Sequence, residues 1–547
     1  MKQVKMGLHV SRREFLGQAL AASTWVAGGL TGCQTAAQKV GRKPNILILH
    51  TDQHNARVMG CAGHPDVKTP TLDRLAARGM RFERAYCQDA ICVPSRTSLM
   101  TGLYPRTTGV LWNSNTDNGQ VHAGVRVEPM AAWFKAHGYR TGAFGRRHLW
   151  AHTADTGWDV TCVTSDPKGD PNNTEYYYDW VREIGQWAAF EHDMVGSTKA
   201  DMGSLVSQLP PEATQEAWAA RKASDFIRTS VQAGQPFFCW VPLLHPHHPY
   251  TPLPSFYDLY DQPKLTLPPN IHEPLENLPP QLQAFRSGEK NPWCMGRAAK
   301  DERIFRHFLA AYYGCVSQVD HYMGAILEAL ATTGQTDNTI IIYTADHGDF
   351  AAYHGLGEKY PWGHNVYEET LRVPFIVSWP GRVRQGEVRQ DLVEETDIYP
   401  TLLELAGVEA PKDYGLVGRS LVSTLTKSQP LGRHFAFCES PIMITAIGER
   451  YKLGVWLVKQ RGNYPDMLFD HIADPYDDHN LIGQPQVAAE EQTLRSALNE
   501  WVQRTPRVKV KTPPPLGPAG WPVNLLAVAD DGYPPPAAKK KGKAKRN

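Results

Sequence analysis

The 547-residue chain has no excess of charge of either sign: 57 Lys and Arg stand against 56 Asp and Glu, a formal net charge of +1. Without a basic surplus it lacks the electrostatic footprint of a nucleic-acid binder. Cysteine is scarce, nine residues in all, with neither the paired spacing of a zinc site nor the density of a disulfide scaffold. Long apolar runs are missing too, since the mainly apolar stretch from Ala19 to Leu30 falls short of the roughly 20 residues a spanning helix needs. What is present is an ordinary globular composition, 42% hydrophobic, in a chain long enough for one large domain with a smaller satellite or for several domains.

The first residues read as an address rather than as fold. Ser11-Arg12-Arg13-Glu14-Phe15-Leu16-Gly17 has the form of a twin-arginine export signal, and Leu30-Thr31-Gly32-Cys33 resembles a bacterial lipobox. The pair predicts export of folded protein to the cell envelope, periplasm or cell surface, with a lipid on Cys33 holding the mature chain to the membrane. A soluble signal cut near Ala36 or Ala37, with Cys33 removed, is the other reading. Residues 1–33 are thus signal and lipobox, and 34–43 a linker.

The stretch that carries most chemical information is Cys92-Val93-Pro94-Ser95-Arg96-Thr97-Ser98-Leu99-Met100-Thr101-Gly102. Pro94 suits a first helical turn and Gly102 a left-handed helix stop, so Cys92 falls near a helix N-terminus, where free N–H groups favour an anion and Arg96 adds fixed charge. A cysteine so placed could be a low-pKa thiol nucleophile.

Acidic and basic side chains recur at the ends of apolar segments. Pro44 to Gln53 reads as a buried strand ending in Asp52 and Gln53, and Asn338 to Thr344 as another ending in Asp346 and His347. In an open parallel sheet, ligands gather at such carboxyl ends. The strand from Pro236 to Val241 leads to His245-Pro246-His247-His248-Pro249. A turn and strand through Phe144 lead to Gly145-Arg146-Arg147-His148, and Lys359 follows His354-Gly355-Leu356-Gly357-Glu358. A long helix is predicted from about Glu302 to Thr332. Residues 158 to 218 lose regular periodicity and gain Trp and Tyr, which could face a sugar or pack a local core.

These motifs, in this order over about residues 44 to 482, resemble the type I sulfatases of the alkaline-phosphatase-like superfamily. The resemblance implies an α/β fold: a mostly parallel central sheet flanked by helices over 44–410, a smaller C-terminal α+β subdomain over 411–506, and a Pro/Lys-rich tail over 507–547 without a core. It implies that a maturation enzyme oxidises Cys92 to formylglycine, and that Asp52, Gln53, Asp346 and His347 bind a divalent cation, for which the mainly oxygen donors suit Ca2+ better than zinc. Arg96, Arg146, His247 and Lys359 would surround the sulfate. His247 or Lys359 would protonate the leaving oxygen, and His148 would deprotonate the formylglycine hydroxyl. Arg146 departs from the lysine most relatives carry there, and arginine cannot give up a proton.

The expected activity is hydrolysis of sulfate esters, with sulfated carbohydrate as substrate. A formylglycine-dependent phosphonate monoester or phosphodiester hydrolase is the nearest alternative. A polysaccharide-binding lipoprotein that has lost the chemistry is the alternative from another class.

Overall fold

The computed structural model describes residues 42–113, 121–122, 125–150, 156–164, 173–198, 200–287, 295–359, 365–457, 464–505 and 507–508. The export signal, Cys33 and the tail beyond residue 508 lie outside the described residues. From Lys43 onward the chain builds an α/β body around a ten-stranded sheet with strands β1 (Asn45–Asp52), β2 (Met80–Tyr86), β3 (Arg140–Gly145), β4 (Val160–Val163), β5 (Asn173–Tyr176), β6 (Phe237–Pro246), β7 (Thr339–Ala345), β8 (Arg372–Val373), β9 (Phe375–Ser378) and β10 (Glu387–Glu394). Their spatial order is β10-β2-β9-β7-β1-β6-β3-β4-β5, with β8 paired to β2. Among the described residues of this sheet, only the pairings of β2 with β8 and β9, and of β7 with β9, are antiparallel.

β1 shows why its sequence is apolar without alternation. All eight residues are buried, because helices cover both faces of the sheet. Ile46 and Ile48 point into a core shared with Leu99, Met100, Leu402 and Leu403, from the helices Cys92–Thr101 and Ile398–Ala406. Leu47 and Leu49 point the other way, into a core with Ala223, Ile227, Val319 and Met323, from the helices Gln215–Gln232 and Glu302–Thr332. The period-two geometry of one strand thus joins the two main cores. Gly102 (φ 66°) stops its helix in the left-handed conformation that the sequence pattern anticipates, and Gly407 (φ 64°) ends Ile398–Ala406 in the same way.

The aromatic segment differs from its sequence reading as irregular: it contributes β4 and β5, which extend the sheet in parallel. Four residues each, they are too short to show a period. Of the two roles open for the aromatics, several of them form a local core. Tyr177 and Trp218 are fully buried edge to face, with ring centroids 5.7 Å apart, Phe190 packs on Tyr177, and the Tyr177 hydroxyl donates to the Ala213 carbonyl at 2.6 Å.

The C-terminal part carries a second, antiparallel sheet of β11 (Ala436–Glu439), β12 (Met443–Ile447), β13 (Tyr451–Trp456) and β14 (Met467–Asp470), in that order. The helix Ala488–Arg504 covers it, with Trp501 stacked on Phe437 at 5.1 Å. Lys452, buried on β13, donates to Glu368 (2.9 Å) and Asp477 (2.6 Å), which ties this sheet to the stretch leading into β8.

Candidate active site at the carboxyl edge of the sheet

β1 lies between β6 and β7 and runs parallel to both, so three consecutive strand ends meet at one edge. Asp52 ends β1 and Gln53 follows it; Asp346 and His347 follow β7; His247 follows β6. The helix that begins with Cys92 abuts the same edge. Ser95 Oγ donates to the Asp346 carbonyl (2.6 Å) and lies 2.8 Å from Glu395 Oε2, fixing the first helical turn at the end of β7.

Arg96 organises the centre. Its Nε donates to Asp346 Oδ2 and its Nη2 to Asp52 Oδ2, both at 2.7 Å, and all three side chains are fully buried. Its Nη1 reaches the backbone carbonyls of Arg146 and Arg147, anchoring the turn after β3 to the cysteine helix. His148 follows in that turn, half-buried, with φ 44°. Arg146, also buried, donates from Nη1 to Asp52 Oδ2 at 2.7 Å, so the unexpected arginine turns toward a candidate metal ligand.

Opposite the arginines, Asp52, Asp346, His347 and Cys92 present ligand atoms that all lie within 4.8 Å of one another. His347 Nε2 is 3.7 Å from Asp52 Oδ1, 3.7 Å from Asp346 Oδ1 and 3.2 Å from Cys92 Sγ. The imidazole Nδ1 donates to the Gly348 carbonyl at 3.0 Å, which leaves the Nε2 lone pair facing the carboxylates. Two carboxylates and an imidazole of fixed tautomer, with no ammonium between them, are a donor set that fits a divalent cation. Gln53, at φ 64°, is held beside them by its backbone N–H, which donates to Asp346 Oδ1 at 3.0 Å.

Burial pushes the Cys92 thiol well above its ordinary pKa, and the Asp52 carboxylate adds to the effect. The sequence left a low-pKa thiolate nucleophile open; burial and the neighbouring Asp52 carboxylate weigh against it.

Lys359 and His247 meet on the other side of Gln53. Lys359 Nζ donates to Gln53 Oε1 (2.8 Å) and to His247 Nε2 (3.2 Å). His247 Nδ1 donates to the His248 carbonyl at 2.5 Å, so Nε2 is the acceptor and the ring is neutral. Burial, and then the neighbouring His248 and Lys359, hold its pKa well below the usual value. The sequence-derived residues Asp52, Gln53, Cys92, Arg96, Arg146, His247, Asp346, His347 and Lys359 therefore form one connected buried network.

Three members of this network were missed. Asp349 accepts from Gln53 Nε2 (2.6 Å) and the Tyr250 hydroxyl (2.7 Å), which orients the Gln53 amide so that its oxygen faces Lys359. Tyr250 itself accepts from Gln53 at 3.1 Å. Glu358 lies against Lys359 at 3.3 Å and contacts His248 Nδ1. The aspartate in Asp346-His347-Gly348-Asp349 was a visible acid at a strand end. Nothing in the sequence marked Tyr250 or the orientation of Glu358.

Comparison with known proteins agrees with this geometry. The family model for sulfatases matches residues 44–408, and that for the C-terminal region of N-sulphoglucosamine sulphohydrolase matches residues 363–504. An ulvan-active sulfatase of Formosa agariphila is 28% identical over 478 residues, covering 84% of this chain and 81% of that protein. An N-acetylglucosamine-6-O-sulfatase of Bacteroides thetaiotaomicron is 23% identical over 532 residues, covering 86% and 88%. Among solved structures, the phosphonate monoester hydrolase of Agrobacterium radiobacter shares the fold with a TM-score of 0.69 at 24% identity, covering 85% of this chain and 96% of that one. The sulfatase family model spans residues 44–408, which include the strand-end carboxylates, the cysteine helix and the lysine–histidine pair, and the chain belongs to the sulfatase family.

Proposed function

We propose that this sulfatase removes sulfate from carbohydrate sulfate esters, using a formylglycine made from Cys92 by a maturation enzyme and a divalent cation held by Asp52, Gln53, Asp346 and His347. The observation that carries the reading is that Cys92 Sγ lies 3.2 Å from His347 Nε2 and 3.7 Å from Asp52 Oδ1, among the metal-ligand candidates. The mainly oxygen donor set favours a hard cation, calcium first. Once in place, the hydrated aldehyde supplies an oxygen nucleophile and the cation supplies charge to the sulfate oxygens.

The chain's own residues supply the rest. Arg96 and Arg146 hold Asp52 and bring two guanidinium charges to the pocket. Lys359, Nζ toward a neutral His247, is the group with a proton to give to the leaving alcohol oxygen; His247 Nε2, an acceptor here, orients that ammonium. Of the two acids the motifs allow, this arrangement favours Lys359. His148, on the turn that Arg96 anchors, is the base for the second hydroxyl in our reading.

Sugar ring recognition is supported by the two carbohydrate-directed relatives. The reading also includes export and lipid attachment at Cys33, which radiolabelled fatty acid incorporation into wild type but not Cys33→Ala would check. Mass spectrometry of the Cys92 peptide, from a host with the maturation enzyme, tests the centre of the reading: an aldehyde is expected, and an unmodified thiol overturns it. Turnover of matched aryl sulfate and aryl phosphonate esters, followed by sulfated oligosaccharides, then decides between this reading and the phosphonate hydrolase reading, the activity named for a fold neighbour.

A further inference from the structure

We propose that Glu358 is a specificity-determining residue: its carboxylate beside Lys359 makes the pocket discriminate against doubly charged oxyanions and in favour of singly charged esters. The inference rests on the sulfatase reading of this site.

Glu358 is fully buried and has φ 65°, a conformation that residues with a Cβ avoid and glycine adopts freely. The surrounding backbone enforces it. The Glu358 N–H donates to Asp349 Oδ1 at 3.0 Å, and the Phe350 N–H donates to the Glu358 carbonyl at 2.8 Å. A glycine would satisfy both bonds without strain, so the informative feature is the side chain. It places one oxygen 3.3 Å from Lys359 Nζ and the other against His248 Nδ1. His248 in turn stacks on His247, ring centroids 4.1 Å apart.

His247, His248 and Glu358 lie close enough together to suggest a second cation site. The Lys359 ammonium argues against one, because it sits 3.2 Å from His247 Nε2 and 3.3 Å from Glu358, where a metal would have to be. The cluster is a shaped patch of charge.

Its consequence follows from the ion pairs. Arg96 and Arg146 are paired with Asp52 and Asp346, the carboxylates that would also hold the cation, whereas the Glu358 carboxylate lies outside that ligand set, against Lys359 and His248. A sulfate ester carries one negative charge, whereas a phosphate monoester, or the inorganic sulfate released by hydrolysis, carries two. Repulsion from Glu358 scales with ligand charge and is weakly screened at a buried site, so the second charge costs a further factor of about ten in affinity. The same residue that admits the substrate would hasten departure of its dianionic product and exclude phosphate monoesters.

Isothermal titration of the full mature chain with inorganic sulfate, a dianion, and methanesulfonate, a tetrahedral monoanion, reads this directly. Glu358→Gln and Glu358→Gly are each expected to raise the preference for sulfate over methanesulfonate about tenfold, while Glu358→Asp keeps the wild-type ratio. A role in shaping the loop alone would weaken both ligands together and leave the ratio unchanged. An unchanged ratio in the Gln and Gly variants overturns the proposal. Absence of aryl sulfate turnover by wild type would overturn the sulfatase reading instead, and the binding ratio remains measurable in that case.

Discussion

Replacing Arg96 with methionine tests whether this guanidinium stands in part for the charge of a bound cation. The side chain is fully buried and donates at 2.7 Å to both Asp52 and Asp346. Arg96→Met keeps much of the volume but leaves two buried carboxylates without their shared partner. Breaking a buried ion pair from one side costs about 3–5 kcal/mol, and serving two carboxylates places Arg96 at the upper end. With an unfolding entropy on the order of 1 kcal/mol/K for a chain of this size, the chelated variant should melt about 5 °C below chelated wild type. A divalent cation bound by the same two carboxylates neutralises them, so calcium should recover at least half of that deficit. Calcium should thus raise the melting temperature of Arg96→Met more than that of wild type. Scanning calorimetry of both proteins, with chelator and with saturating calcium, gives the four values needed. An equal deficit in the two conditions would refute the argument, because it would mean that Asp52 and Asp346 do not hold the cation.

Three further outcomes follow from other parts of the same edge. Burial opposes a charge on His354, but Glu273 (2.5 Å) and Glu369 outweigh it and raise its pKa to about 10. The stabilisation, on the order of 5 kcal/mol, is therefore fully present below pH 6.5 and lost as pH rises through about 10. The melting-temperature gap between wild type and His354→Gln should close over that window, and a gap independent of pH would contradict it. Asp349→Asn removes the acceptor that orients the Gln53 amide and should weaken calcium binding about 10- to 100-fold in a chelator competition, with unchanged affinity counting against Gln53 as a ligand. A Cβ on Gly348 would lie 1.9 Å from the Glu369 carbonyl oxygen, so Gly348→Ala should cost on the order of 3 kcal/mol in chemical denaturation; a neutral result would mean that the two backbones separate easily.

The sequence was most readable where local chemistry and burial agree. The helix Glu302–Thr332 matches its predicted bounds, because a continuous apolar stripe over so long a segment leaves few alternatives. Asp52 and Asp346 were legible as strand-end acids, since both strands are buried on two faces and must shed polarity at their ends. Other features depend on partners far away in sequence. Gln53 is oriented by Asp349 and Tyr250, 296 and 197 residues distant, and no local pattern encodes that. Arg146 could be read as a departure from the usual lysine, but not as a partner of Asp52, 94 residues away. β4 and β5 escaped notice because short strands at the end of a sheet take their stability from their neighbours rather than from periodicity.

The pairing of β1 with β6 and β7 also sets a timetable. Cys92 and His347, which touch in the folded protein, are 255 residues apart, and the Cys92 side chain is fully enclosed once both are in place. A ribosome adding about 5–20 residues per second needs roughly 13–50 s to cover that distance. For that interval the thiol has left the ribosome while the strand that will close over it does not yet exist. Under the proposed maturation of Cys92, oxidation would have this interval in which to reach a side chain that the folded protein fully encloses.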